Sequence, residues 1–267
     1  MIIDAHAHLD DVTNTKLSAK KRLNLLIKNM EKNRVSHSFI LADIPTLPHE
    51  KFLSHEEMLK LISHYPQLHL VGKVPLHVAQ NLKYLNRTRK YIKNGEIIGI
   101  KLYPGYEKFY PNDPRYSPLY DICEEFDIPI MFHSGDVMDA GHLRFATPLH
   151  IDEVASERPK MKIIICHMGN PWQLDTAAVT YKNKNVYADT AGLFYHKLDI
   201  HMEKFLDHKL EEFIRWNPKA EKLIFGSDWP ITSVGDTIKL IKDLPHFMDK
   251  DKELIFSKNA KRLFKIK

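Results

Sequence analysis

The feature that most restricts the fold is an alternation repeated along the whole chain: short β-branched runs, each followed by a stretch whose apolar residues recur at helical spacing. The runs fall at 1–10, 36–41, 68–74, 97–103, 128–133, 161–166, 185–189 and 222–225. Between them lie helix signals. Ser18 stands before Leu23, Leu26, Ile27 and Met30, and Ser54-His55-Glu56-Glu57 forms a capping box ahead of Met58, Leu61 and Ile62. A helix through Leu82, Leu85 and Ile92 stops at Asn94-Gly95. Ser117-Pro118 and Thr147-Pro148 each read as a cap followed by proline at the first helical position. Eight strands alternating with helices over 267 residues match the size and order of a (β/α)8 TIM-type barrel, open to local distortion, in one domain spanning 1–267. Between the seventh and eighth strands the pattern predicts a helical insertion with Phe205, Leu206, Leu210, Phe213 and Ile214 on one face, placed to cover part of a site. An open doubly wound sheet is the alternative, but no G-x-G-x-x-G or phosphate loop follows any run.

Several of these runs end on residues suited to chemistry. The first, Met1-Ile2-Ile3-Asp4-Ala5-His6-Ala7-His8-Leu9-Asp10, closes with two histidines two apart. Strand alternation predicts Asp4, His6 and His8 on one face and Ile3, Ala5 and Ala7 on the other. His133 ends the fifth run, His167 follows the sixth, and Asp228 follows the eighth. In a closed barrel the carboxyl ends of the strands share one rim, so these residues become neighbours. Imidazole and carboxylate groups are the expected ligands of a catalytic divalent ion that keeps a position open for water. The remaining histidines, such as His37, His64, His77 and His208, lie in helices, loops or strand starts and read as surface or packing residues.

Composition narrows the function classes. Hydrophobic residues make up 43% and charged residues 27% of the chain, as in ordinary globular proteins. No apolar run is long enough for a membrane span, and the start shows no secretory leader, so the expectation is a cytoplasmic protein. Cys123 and Cys166 give neither a disulfide framework nor a thiolate metal set and read as two buried thiols. The net charge is +5, and the basic clusters (Lys16, Lys20, Lys21, Arg22 and Arg87, Arg89, Lys90) have the look of solvated helix faces, which makes nucleic acid an unlikely partner.

Six motifs, in order along the chain, carry a family resemblance. They are Ile3-Asp4-Ala5-His6-Ala7-His8, Gly99-Ile100-Lys101-Leu102-Tyr103-Pro104, Pro129-Ile130-Met131-Phe132-His133-Ser134-Gly135, Ile165-Cys166-His167-Met168-Gly169, Asn185-Val186-Tyr187-Ala188-Asp189 and Phe225-Gly226-Ser227-Asp228-Trp229-Pro230. Together they resemble the amidohydrolase superfamily, and within it the amidohydrolase-related family 2, which holds aminocarboxymuconate-semialdehyde decarboxylase-like decarboxylases and lactonases. The resemblance implies a divalent metal, zinc in the first place and manganese in the second, held by His6, His8, His133 and Asp228. It implies that His167 acts on substrate or ligates a second metal. Lys101 stands where other branches carry a carbamylated lysine bridging two metals; here it is a second-metal ligand, a group for an anionic substrate, or a salt-bridge partner of Asp189. One metal is favoured. The opening also resembles TatD-like nucleases, but their glutamate-bearing fourth strand is replaced by Gly99-Ile100-Lys101-Leu102-Tyr103.

The reaction expected from this is hydrolysis of an amide, ester or lactone of a small acidic molecule by metal-activated water, with Asp228 as general base and acid and His167 stabilising the oxyanion. Non-oxidative decarboxylation of an aromatic or unsaturated acid is the alternative, and a barrel that binds without turnover is a third. Lys101, Tyr103, Arg144 and Trp172 are the candidate substrate-binding residues. The aromatic loop at 104–115 reads as a substrate lid or a subunit contact, the latter in a homo-oligomer.

Overall fold

The computed structural model describes residues 1–45, 52–138, 141–195 and 198–266. Its strands are β1 (Ile2–His8), β2 (Val35–Leu41), β3 (Leu68–Lys73), β4 (Ile97–Leu102), β5 (Ile130–Phe132), β6 (Ile163–Ile165), β7 (Val186–Asp189) and β8 (Leu223–Ile224). All pair in parallel in the order of the chain. The sheet closes between its ends through backbone bonds from Ala5 to Phe225 (2.9 Å), His8 to Trp229 (2.7 Å) and Asp228 to His6 (2.8 Å). The chain therefore forms the TIM barrel that its alternation implies. The helices are α1 (Ala19–Asn33), α2 (His55–Ile62), α3 (Leu82–Lys93), α4 (Ser117–Phe126), α5 (Leu149–Glu157), α6 (Gln173–Lys182), α7 (Ile200–Trp216), α8 (Val234–Asp243), α9 (Asp249–Glu253) and α10 (Asn259–Phe264). None among the described residues is long and apolar enough to cross a membrane.

Local capping explains where most helices begin. Ser18 accepts from the Lys21 amide, and Ser54 exchanges both capping-box bonds with Glu57. Two caps differ from expectation. Ser117 is already helical, because a short turn at Pro114–Tyr116, capped by Asp113, precedes α4. Its hydroxyl instead accepts from Arg158 of the α5 C-terminus. Pro148, not Thr147, occupies the N-cap of α5. The helix predicted between the last two strands is α7, which buries Leu206, Leu210 and Phe213. It packs beside α6, with Asn217 donating to Thr180, so it is the seventh member of the outer ring; Phe205 is 53% exposed.

Two apolar clusters separate the inside of the barrel from the helix layer. Ile3, Ala5, Phe39, Leu41, Val71, Met131, Ile164, Cys166 and Ile224 fill the interior, and Leu263 and Phe264 of α10 join them. The Phe264 ring lies tilted 4.6 Å from that of Phe39 and approaches Gly99, while Lys265 pairs with Asp127, so α10 plugs the amino-terminal mouth. The carboxyl mouth is left for chemistry.

The expected alternation along β1 holds only in part. Asp4 pairs with Ser38 but Ala7 pairs with Ile40, so β1 carries one extra residue between them. Such a bulge reverses which side chains face inward. Ile3 and Ala5 belong to the interior cluster, whereas Ala7 and Leu9 belong to the helix-side cluster. Asp4 is thus not on the face of the two histidines. It holds the last turn of the barrel instead, accepting from the Ser227 amide (2.8 Å) and hydroxyl (2.6 Å).

Candidate active site

The bulge presents both β1 histidines to the carboxyl rim, where they meet a carboxylate from the other end of the sequence. His8 Nε2 lies 3.1 Å from Asp228 Oδ1, and His6 Nε2 lies 3.4 Å from the same oxygen. Asp228 follows β8 with φ +65°, and His167 follows β6 with φ +59°. Left-handed backbone is uncommon for residues with a Cβ, and its appearance at both positions fits strain held at a working site. Gly192 makes room for them: a Cβ there would come 2.7 Å from Asp228 Oδ2 and 2.8 Å from His167 Nδ1.

Hydrogen bonds sort the ring nitrogens. His6 Nδ1 is held by Asp189 Oδ2 at 2.9 Å, His8 Nδ1 by Asp43 at 2.9 Å, and His167 Nδ1 by the Ala191 carbonyl at 3.1 Å. Each Nε2 is left for the centre. Asp189 also accepts from the His167 and Ala191 amides, so one carboxylate from β7 orients two of the three histidines. Ligand atoms of His6, His167 and Asp228 come within 4.8 Å of one another, a spacing open to one ion. His6 Nε2 is fully buried without a hydrogen-bond partner. An orphaned, buried imidazole nitrogen aimed at a carboxylate and other imidazoles fits a metal ligand.

The other sequence candidates are placed less uniformly. His133 reaches the same rim, its ring 4.9 Å from that of His167, but its Nε2 is bonded to the Asp136 carbonyl at 2.8 Å. Lys101 is buried and donates to Cys166 Sγ at 2.8 Å; it makes no ion pair with Asp189. The Tyr103 hydroxyl lies 2.9 Å from both the Ala42 carbonyl and Asp43 Oδ1. Arg144 is exposed, stacks over Phe145 and donates to Tyr110, with no bond to the strand-end residues. Trp172 is the half-buried N-cap residue of α6. Tyr106, from the aromatic loop, sets its ring 4.8 Å from His133. Asp43 belongs to none of the sequence motifs. It lies just beyond β2, so the rule that found the histidines, polar residues at the carboxyl ends of strands, would have reached it.

Burial and charge act together on these groups. Burial, reinforced by the Lys101 ammonium, pulls His6 down to about 4. Burial also acts downward on His8, but Asp43 and Asp228 outweigh it and bring it up to about 10. Burial lowers His133 and His167 as well, with His167 adding its effect to His133. Against the upward pull of burial, His8, His167 and His6 hold the Asp228 carboxyl well below the usual carboxylate range, and His6 does the same for Asp189. Asp228 is therefore an anion set among imidazoles.

A parallel barrel whose carboxyl rim gathers imidazoles around one buried carboxylate has the architecture of a barrel enzyme with its site in the usual place. The chain belongs to the amidohydrolase family (Amidohydro_2), whose family model matches residues 3–266. No curated protein sequence matches it. Among solved structures it is similar to an uncharacterised TIM-barrel protein of Bordetella bronchiseptica, with 21% identity, 99% and 98% of the two chains covered and a TM-score of 0.80. It is also similar to a probable 2-pyrone-4,6-dicarboxylic acid hydrolase of Acinetobacter baumannii with citric acid bound (19% identity, 99% of each chain covered, TM-score 0.71). A third is 5-carboxyvanillate decarboxylase of Novosphingobium aromaticivorans, complexed with manganese and 4-hydroxy-3-methoxy-5-nitrobenzoic acid (13% identity, 99% and 95% covered, TM-score 0.69). At these identities the likeness speaks for the fold.

Proposed function

We propose that this protein is a divalent-metal-dependent hydrolase that opens an amide, ester or lactone of a small acidic molecule. The observation that carries the reading is the buried, unpartnered His6 Nε2 beside Asp228 and the other imidazoles. His6, His8, His133 and Asp228 would hold the ion, zinc or manganese, with His133 giving up its bond to the Asp136 carbonyl. The bound ion supplies Lewis acidity, acidifying water towards a pKa of about 7 and polarising a carbonyl.

The chain's own groups do the rest. Asp228 is a carboxylate at neutral pH and can accept the proton of the attacking water, then return it to the leaving group. His167, fixed through Nδ1 and its left-handed backbone, keeps Nε2 toward the centre, where it would donate to the developing oxyanion once that nitrogen carries a proton. Lys101 donates to Cys166, and left uncarbamylated in that contact it would not bridge two ions, so we favour one ion per chain. Acidic substrates are supported by the names of two similar proteins, a dicarboxylic acid hydrolase and a carboxyvanillate decarboxylase. The second of these also supports a decarboxylase reading, in which the same site binds a carboxylate and protonates carbon as carbon dioxide leaves.

Metal content of protein purified without chelator, followed by progress curves on lactones and on aromatic acids, tests both. One equivalent of metal with lactone hydrolysis is expected; carbon dioxide release would select the decarboxylase, and a protein that takes up no metal would overturn both. Asp228→Asn should keep the fold and lower turnover by about 10²–10⁴-fold. A folded, fully active variant would overturn its role.

A further inference from the structure

Resting on the metal-site reading above, we infer that Asp43 and Tyr103 are positioning residues that set the metal affinity of His8, and that Tyr103 acts through Asp43 rather than on substrate. Asp43 is unusually well fixed for a residue just past a strand. Its amide donates to Asp10 Oδ2 at 3.2 Å, its carbonyl accepts from the Lys73 ammonium, and its Oδ1 lies 2.9 Å from the Tyr103 hydroxyl. Asp10 and Lys73 also bind the backbone of Leu53, at 2.8 Å and 3.1 Å, so the same two buried groups hold Leu53 as well as Asp43.

What this framework presents is a carboxylate 2.9 Å from His8 Nδ1. Each ring nitrogen of a neutral histidine has a fixed role: if Nδ1 carries the hydrogen, Nε2 is the free lone pair. A carboxylate accepts only, so Asp43 keeps a hydrogen on Nδ1, and Nε2, which faces Asp228, is the nitrogen that would give up its hydrogen to a cation. It also makes the imidazole a better donor to a cation. The Tyr103 hydroxyl shares its hydrogen with Asp43 Oδ1 and the Ala42 carbonyl, which helps hold the carboxylate beside His8. The Tyr103 side chain is 6% exposed and its one hydroxyl is already committed, which leaves it little to offer a substrate.

The test is a double-mutant cycle read on metal affinity. Zn2+ and Mn2+ dissociation constants would be measured by chelator competition for the wild type, Asp43→Asn, Tyr103→Phe and the double variant, with apo-protein melting temperatures recorded alongside. Asp43→Asn is expected to weaken metal binding about 10–100-fold, the usual effect of removing a partner of a ligating histidine. Tyr103→Phe is expected to weaken it less, and to add nothing once Asp43 has been replaced. Wild-type affinity in folded Asp43→Asn overturns the inference about Asp43. A Tyr103→Phe effect that persists unchanged in the Asp43→Asn background overturns the route through Asp43, as does a change in KM with unaltered metal affinity. Should Asp43→Asn fail to fold, wild-type metal affinity in Tyr103→Phe overturns the Tyr103 part by itself. A wild type that binds neither ion fails at the earlier step, the metal-site reading.

Discussion

Replacing Gly192 with alanine should damage the site and the fold at once, by amounts that the structure allows to be worked out. The added Cβ falls 2.7 Å from Asp228 Oδ2 and 2.8 Å from His167 Nδ1, where ordinary contact begins at 3.4 Å, so two groups must each retreat by about 0.6–0.7 Å. Neither has an easy path. His167 is tied through Nδ1 to the Ala191 carbonyl, and the Asp228 amide to the His6 carbonyl at 2.8 Å. Overpacking of this kind costs about 1–3 kcal/mol, and a side chain at φ +59° adds about 1–2 kcal/mol. For a domain of this size the sum corresponds to a fall in Tm of roughly 5–15 °C. A displacement approaching 1 Å at Asp228 and His167 would lower turnover by up to about 10²-fold. Gly95→Ala is the control, because it has φ +73° and nothing within 4 Å of the added Cβ. It carries the backbone cost alone. Calorimetry of both variants, with metal affinity by chelator competition, separates the two contributions. If Gly192→Ala melts with Gly95→Ala and holds metal like the wild type, Asp228 and His167 do not stand where the argument requires.

Three further outcomes are expected. His55 accepts from the Lys73 amide at 2.9 Å and is held at about 4 by burial and by Lys73 and Arg87, against an ordinary 6.5. The unfolded chain therefore binds this proton first, and stability that is full above 6.5 is lost as the pH falls towards 4. Denaturant titrations should show about 2 kcal/mol of wild-type loss from this group between pH 7 and 5, absent in His55→Gln; parallel pH curves for the two would refute it. Phe264→Ala, at the plugged mouth, should cost about 3–5 kcal/mol while leaving metal affinity unchanged, and a shift in affinity would break the division between a stabilising and a chemical end. Elemental analysis of His133→Ala and His167→Ala should find metal lost from the first and retained in the second; the reverse result would move His167 into the ligand set.

The legibility of the site followed the range of the interactions that build it. Capping at Ser18 and Ser54 is settled within four residues, and both caps form as read. Ser117 does not cap, because the Asp113-capped turn at Pro114–Tyr116 starts the helix ahead of it, and its hydroxyl accepts from Arg158, whose guanidinium also meets Asp121 and Glu124. Arg144, attractive as a partner for an acid, turns outward onto Tyr110 and Phe145. Nothing in its local sequence distinguishes the two directions.

By itself the sequence determined the order of strands and helices and the placing of polar residues at strand ends, because hydrophobic periodicity and capping are local and a parallel barrel puts all those ends on one rim. Only the tertiary structure decided which atoms face the centre. The extra residue in β1 turned Asp4 away from the two histidines, a register matter between strands. Asp189 and Asp43, 183 and 35 residues from the histidines they hold, chose which nitrogen of His6 and His8 turns to the centre. A histidine's chemistry depends on the partner of its other nitrogen, and that partner is supplied by folding.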